Sequence, residues 1–198
     1  MPVAFTTEQQ ESIREELFRA GIRLSRSEGM QRMTVSKLAA SAGIAKGSFY
    51  HFFESKEAFI LALIGYTGEK LLRLFEKHLN GREQMTTHEF TEFLREYMNS
   101  EYDLLNGLTM EDMMWVKTHM SEAELFEPDR TVFAMQQFLN RISDAQENID
   151  VGTIVNLIKG MYMIRESRDT MIGSSLDNSI EVMLRMVEIY ISGKGDFV

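Results

Sequence analysis

A glycine between two very short amphipathic segments constrains the fold of this chain more than any other feature. Residues 34–56 predict two helices of about two turns each, joined at Gly43, and then the start of a third helix. Glycine supplies the positive φ that a tight turn between helices needs. Because such short helices are unstable alone, the pair must be held together by burying apolar side chains. Those side chains are Leu38, Ala42, Ile44, Phe49 and Phe52, with the small Ala39 where the helices approach.

The second helix of this pair has a polar face suited to DNA. A rotation of about 100° per residue places Lys46, Gly47, Tyr50 and His51 on the side opposite Phe49. A lysine can reach a phosphate or the edge of a guanine, and a glycine lets the backbone approach the bases. A helix pair of this kind presents its second helix to the major groove. The alternative interpretation is an ordinary helical corner with a solvated polar face.

The residues that flank the pair agree with this interpretation. Thr34 and Ser55 each stand where the N-cap of a helix belongs. Lys56 falls in the first turn of the next helix, where the helix dipole disfavours a cation. The lysine and the exposed amides of that turn would together bind a phosphate, so we expect an anion there. A solvated surface lysine is the alternative.

These residues resemble the DNA-binding segment of the tetracycline repressor (TetR) family. The resemblance lies in Thr34-Val35, Leu38-Ala39, Ala42-Gly43, the run from Lys46 to Phe53, and Ser55-Lys56-Glu57, and it extends over about residues 8–60. It implies a dimeric, all-helical repressor whose C-terminal domain binds a small effector. The DNA contacts predicted from the residues and the resemblance are Thr34, Lys46, Gly47, Ser48, Tyr50, His51 and Lys56.

The distribution of charge is compatible with DNA binding by the N-terminal part only. The net charge is −9 over the 198 residues. The first 56 residues hold eight Lys and Arg against six Asp and Glu, which leaves 13 against 24 in the remainder. The acidic remainder should stay away from a polyanion. The small positive excess predicts an affinity that depends on a few well-placed contacts.

Other classes of protein find little support in the sequence. No apolar run approaches the ~18 residues of a membrane span, and no signal peptide is evident, so we expect a cytoplasmic protein. The absence of cysteine excludes disulfides and thiolate metal sites. The four histidines form no metal-binding spacing, and neither a phosphate loop nor a serine nucleophile elbow is present. We therefore predict no enzyme activity, catalytic residue, metal or cofactor.

Helical periodicity continues to the end of the chain and predicts an all-α fold in two domains. Helix 1 is expected over residues 7–28, ended by Gly29, and helix 4 over 55–79, ended by Asn80-Gly81. We predict a helix-turn-helix domain over residues 1–54 and a helical ligand-binding and dimerisation domain over 55–198. Helix 4 would link the DNA to the second domain.

Methionine is unusually common in the predicted second domain. Twelve of the 15 methionines lie at or beyond Met85, and several cluster around Trp115. Flexible thioethers and aromatic rings suit a pocket for an apolar ligand, although methionine also fills ordinary cores. The candidate pocket residues are Phe93, Tyr97, Met113, Trp115, Phe138 and Tyr162.

The last two predicted helices carry broad apolar stripes. A helix pair that is apolar on two faces can pack on its own domain and on a second copy of the chain. Packing within one chain is the alternative explanation. The predicted dimer-interface residues are Ile158, Ile180, Met183, Leu184, Val187 and Ile191.

Together these features predict a dimeric repressor that binds an inverted-repeat operator in double-stranded DNA and is released by an apolar small molecule. Two alternatives stay open. The first is a DNA-binding protein of the same kind that acts constitutively or with a protein partner. The second is a helical carrier or enzyme that uses the Met-rich cavity.

Overall fold

The structure, a computed structural model, describes residues 6–119 and 128–194. These residues form an almost entirely helical protein, which confirms the all-α prediction. None of the helices in the described ranges is long and apolar enough to cross a membrane. The helices are α1 (Thr7–Glu28), α2 (Val35–Ser41), α3 (Lys46–Phe49), α4 (Lys56–Leu79), α5 (Thr87–Met98), α6 (Met110–His119), α7 (Pro128–Leu139), α8 (Val151–Glu166) and α9 (Leu176–Ser192).

Local capping explains why several of these helices begin and end where the sequence predicts. The Thr6 hydroxyl accepts a hydrogen bond from the Gln9 amide, and the Gln9 side chain accepts one from the Thr6 amide, so a capping box starts α1. The Ser55 hydroxyl accepts from the amide of Ala58 and starts α4. Asn80, in a left-handed conformation, ends α4.

Two hydrophobic cores lie along the chain. The first is built by α1 to α3 and the first half of α4, and Leu104, Leu108 and Val116 from the following segments join it. The second is built by the end of α4 with α5, α7, α8 and α9. Helix α4 contributes Phe59 to the first core and Phe75 to the second. It therefore connects the two packing units, as the sequence predicts.

Most of the apolar stripe of α9 lies inside the second core. Ile180, Leu184, Val187 and Ile191 are all buried by the single chain, at 3% exposure or less. Helix α5 packs across α9 and covers this face. These four predicted interface residues are therefore core residues of one chain, and the alternative of internal packing holds for them.

Different residues of α8 and α9 present apolar side chains to the solvent. Met163 on α8 is 57% exposed, and Val182 and Met186 on α9 are 53% and 39% exposed. The other two predicted interface residues, Ile158 and Met183, are half-buried against the second core.

Candidate nucleic-acid interface

Helices α2 and α3 are held together as a tight pair. The Thr34 hydroxyl accepts a hydrogen bond from the Lys37 amide and caps α2. Leu38 and Ala39 are buried beneath it. Gly43 has a φ of +68°, and an added Cβ would meet nothing within 4 Å. The turn therefore needs glycine for its backbone conformation and not for space.

The polar face predicted for α3 points away from the protein. Phe49 is completely buried in the first core, whereas Lys46, Gly47 and His51 are exposed and Tyr50 is 51% exposed. The Tyr50 ring meets the edge of the Phe49 ring, with centroids 5.6 Å apart, so Phe49 also supports the exposed tyrosine. Lys46 and Gly47 lie on α3, and Tyr50 and His51 follow its last residue.

Among the described residues, nothing requires a glycine at position 47. Its φ lies outside the left-handed region, and a Cβ there would have open space around it. A bare backbone on the outward side of a recognition helix is useful when another molecule approaches closely. Ser48, the remaining predicted contact on this helix, is half-buried.

The sequence predicts that Lys56 binds a DNA phosphate, but in the structure its ammonium contacts other residues of the chain. Its ammonium donates a hydrogen bond to the Gln31 carbonyl oxygen at 2.7 Å and lies 4.5 Å from the centre of the Trp115 ring. Burial lowers the pKa of Lys56 below its usual value, while Glu57 and Asp112 oppose that shift. This lysine connects α4 to the α1–α2 turn and to α6, so its ammonium is engaged within the chain instead of free to bind a phosphate.

A family model matches the part of the chain that forms this helix pair. The model describes the bacterial regulatory proteins of the tetR family, and it matches residues 17–63. Residues 17–63 therefore carry the DNA-binding region of the tetR family. The match covers α2, α3 and the supporting parts of α1 and α4, which are the elements whose geometry is described above.

Curated relatives of this chain are similar to it over part of its length. The Escherichia coli (strain K12) transcriptional repressor NemR is 45% identical over 51 residues, which is 26% of each protein. The repressor KstR2 of Mycolicibacterium smegmatis is 29% identical over 124 residues, 63% of this chain and 53% of KstR2. The chain thus spans between about a quarter and half the length of these relatives.

The likeness to solved structures extends over the whole fold. The structure of reduced E. coli NemR has a TM-score of 0.62 with 22% identity, over 90% of this chain and 97% of NemR. At this level of identity the likeness concerns the fold alone. It includes the helical region beyond α4, where the sequence itself carries no family motif.

A buried carboxylate joins the helix-turn-helix unit to α6. One oxygen of Asp112 accepts a hydrogen bond from the Gln31 amide at 3.0 Å. The other accepts from the amide and the hydroxyl of Thr109, at 3.2 and 2.9 Å. At Gly29 a Cβ would stand 3.0 Å from both oxygens, and its φ is +87°. The α1–α2 turn and the start of α6 are therefore fixed to one another.

Arg26 makes a second connection between α1 and the α5–α6 segment. Its guanidinium donates hydrogen bonds to the carbonyl oxygens of Ser100, Glu101 and Asp103, between 2.9 and 3.2 Å. Gly107 passes so close that a Cβ there would stand 2.9 Å from the Arg26 Cα. Three carbonyl groups of the segment before α6 are thus bonded to one arginine of α1.

We expect Asp112→Ala to destabilise the protein by about 1–3 kcal/mol, because the Gln31 amide and the first turn of α6 lose their acceptor. Urea unfolding measures this loss. Glu111→Ala, which removes an exposed neighbouring carboxylate, is the matched control and should change the free energy of unfolding by less than about 0.5 kcal/mol. Equal stabilities for the two variants would contradict a structural role for the Asp112 contacts.

The structure does not gather the six predicted pocket residues into one group. Phe93 and Phe138 pack their rings against Phe75 in the second core, with centroids 5.2 and 4.8 Å from it. Trp115 belongs to the first core, where it stacks on His119 and covers Lys56. Trp115 is therefore a junction residue and not part of the second core.

Of the remaining three predicted pocket residues, Met113 lies apart, whereas Tyr97 and Tyr162 both lie near Asp103. Met113 is half-buried on α6. Tyr162 is largely buried, and its hydroxyl donates a hydrogen bond to Asp103 at 3.1 Å. Tyr97 is 9% exposed and interacts electrostatically with the same carboxylate. Within the described ranges, no group of three or more His, Asp or Glu side chains could hold a metal ion.

Proposed function

We propose that this chain is a dimeric transcriptional repressor that binds an inverted-repeat operator and is controlled by a small-molecule effector. The observation that carries the proposal is the exposed face of α3. Lys46, Gly47, Tyr50 and His51 project from a helix that Phe49 anchors, inside the region matched by the tetR family model. The two named relatives are both described as transcriptional repressors, which supports regulation over enzymatic activity.

The division of contacts on DNA follows from the position of each side chain. Lys46 and Gly47 are exposed at the start of α3, where they would meet base edges. Thr34, at the start of α2, and Tyr50 and His51, after α3, would hold phosphates on either side. Lys56 is left out of this set, since its ammonium is engaged with Gln31 and Trp115.

The proposed dimer uses the exposed apolar side chains of α8 and α9. Met163, Val182 and Met186 stand at least 39% exposed in the single chain, and a second copy would cover them. A two-fold dimer places two recognition helices about one turn of DNA, ~34 Å, apart. The operator would therefore be an inverted repeat.

Two connections would carry the effector signal to the DNA-binding unit. Helix α4 runs from Lys56 beside the helix-turn-helix unit to Leu79 in the second core. Helix α6 is fixed to the α1–α2 turn through Asp112 and Gln31. An effector can shift the DNA-binding equilibrium only by binding the two arrangements of these helices with different affinity.

We expect Lys46→Ala to weaken operator binding roughly 5- to 150-fold, which corresponds to the ~1–3 kcal/mol of a good base contact. Tyr50→Phe should weaken binding to operator DNA and to non-specific DNA about equally, since a phosphate contact carries no sequence information. The operator is first selected from random double-stranded DNA with the wild-type protein. Fluorescence anisotropy then gives the dissociation constants at several salt concentrations.

Lys194→Ala is the control, because it removes one exposed cation at the far end of the chain. Its operator affinity should match that of the wild type. If selection enriches no sequence, or if the Lys46→Ala, Tyr50→Ala double variant binds like the wild type, the proposed interface is wrong.

A further inference from the structure

A groove between α4 and α5 combines an apolar lining with charged residues. It has a volume of about 300 Å³, and its floor includes Leu74, Tyr97 and Tyr102. Three cations stand along its α4 side, Lys70, Arg73 and Lys77. The one carboxylate in its wall, Glu96, is already paired with Lys77 and His78 at 2.8 and 2.9 Å.

The groove has an excess of positive charge, whereas the chain beyond residue 56 has an excess of negative charge. Beyond residue 56 the sequence holds 13 Lys and Arg against 24 Asp and Glu, yet the groove walls carry three cations and one anion. Of these cations, Lys70 also lies 4.0 Å from Glu15 of α1. Arg73 is 75% exposed on its side chain, and its contact with Glu69, at 3.8 Å, is long. Its charge is therefore available to a ligand, and an anionic group in the groove would be attracted.

The groove also offers aromatic surface. The ammonium of Lys70 lies 4.8 and 4.9 Å from the ring centres of Tyr66 and Tyr102, which holds the cation at the edge of an aromatic surface. Tyr97 lines the groove and is 9% exposed.

We propose that this groove binds a small amphiphilic acid, with its anionic group at Arg73 and its apolar body on Leu74, Tyr97 and Tyr102. The proposal rests on the function proposed above in one respect, that such a ligand is the effector. An acid bound here would touch α4 directly. It would also touch Ser100, whose carbonyl oxygen accepts a hydrogen bond from Arg26 of α1. A ligand in the groove thus meets α4 and the segment that is bonded to Arg26, both of which reach the DNA-binding unit.

A matched series of probes tests the ligand class. Octanoate, 1-octanol and octylammonium have the same chain and head-group charges of −1, 0 and +1. Each is titrated into the full-length protein, and competition with the fluorescent anion 8-anilinonaphthalene-1-sulfonate is followed. We expect octanoate to bind about tenfold more tightly than either analogue, and this preference should shrink with added salt. Equal binding of the three probes would overturn the proposal.

Graded variants locate the site. Arg73→Gln and Arg73→Glu should weaken octanoate binding progressively, by about three- and tenfold, and leave 1-octanol binding unchanged. Tyr97→Phe should weaken octanoate about two- to tenfold by removing one hydroxyl. Arg185→Gln and Arg185→Glu make the same charge changes at an exposed position of α9 and should have no effect. Octanoate binding that ignores the Arg73 variants would refute this placement.

Separate readouts distinguish this inference from the proposed function. Operator binding by the unliganded protein tests the repressor alone, while probe binding without DNA tests the groove alone. Octanoate should lower operator affinity in the wild type, and in Arg73→Glu the same concentration should have a smaller effect. Probe binding in the groove that leaves operator affinity unchanged would refute the effector role.

Discussion

Val187→Asp is expected to unfold the protein, whereas Met186→Asp, one position away, is expected to leave it folded and monomeric. Val187 is completely buried in the second core, and Met186 is 39% exposed. An unpaired charge in a packed core costs about 4–5 kcal/mol or more, a large fraction of the 5–15 kcal/mol that stabilises a typical domain. A charge on an exposed side chain costs little in the single chain but opposes the burial of that face in a dimer.

Circular dichroism and light scattering separate the two outcomes. The Val187 variant should lose its cooperative thermal transition, and the Met186 variant should keep it while its mass falls to that of one chain. Operator binding by the monomer should be much weaker, because only one recognition helix contacts the site. Met186→Ala is the control for loss of side-chain volume. A folded, monomeric Val187→Asp protein would contradict the core position of this valine.

This pair of variants shows what an apolar stripe can and cannot predict. The spacing of Ile180, Leu184, Val187 and Ile191 correctly predicts a helix with one apolar face. It does not reveal whether that face packs on α5 of the same chain or on a second copy, because both surroundings are apolar. The structure shows that α5 covers it. The exposed residues Val182 and Met186 form a shorter apolar pattern on another side of α9, which is harder to detect in the sequence because the buried stripe is longer.

The helix-turn-helix unit could be predicted because its determinants are local. The turn depends on Gly43, the starts of α2 and α4 depend on Thr34 and Ser55, and the burial of Phe49 follows from helical phase. All of these residues lie within a short stretch of the chain. Each effect acts between near neighbours in sequence, so spacing alone carries the information.

The connections between the two packing units could not be predicted in this way. Asp112 and Gln31 are 81 positions apart, and Arg26 bonds to carbonyl groups 74 to 77 positions away. No periodic pattern in the sequence identifies an aspartate that accepts a hydrogen bond from a distant amide. Gly29 and Gly107 were the sequence features that could have indicated these contacts, since both adopt a positive φ beside them. A glycine in a sequence does not reveal, however, which distant group packs against it.

The second large effect is expected at Asp103, a fully buried carboxyl group between α1 and α8. One oxygen accepts hydrogen bonds from the Tyr162 hydroxyl and the Leu105 amide, at 3.1 and 3.2 Å. The other is buried without a hydrogen-bond partner among the described residues. Burial raises the pKa of Asp103 from 3.8 to about 7, although the Tyr162 hydrogen bond and the charges of Arg26 and Arg165 oppose the shift.

The direction of the resulting pH dependence follows from this raised pKa. The folded protein holds the proton more tightly than the unfolded chain does, so the stabilisation from Asp103 is complete below about pH 4. It is lost as the pH rises from there to about 7, where the carboxyl ionises in the folded state. The wild-type free energy of unfolding should therefore contain a term that declines over this range and is constant above it.

Asp103→Asn should remove this pH-dependent contribution to stability, because an amide does not titrate. Its oxygen can still accept the hydrogen bond from the Tyr162 hydroxyl. The stability of the variant relative to the wild type is expected to increase by about 2–3 kcal/mol between pH 5 and pH 8, at 1.36 kcal/mol for each unit of pKa difference. Urea unfolding at four pH values measures this difference, in which the contributions of the other titrating groups cancel. Asp177→Asn, at an exposed position of α9, should give a curve parallel to that of the wild type. If Asp103→Asn is also parallel, the carboxyl group is ionised in the folded protein throughout the range, and the surrounding arginines outweigh its burial.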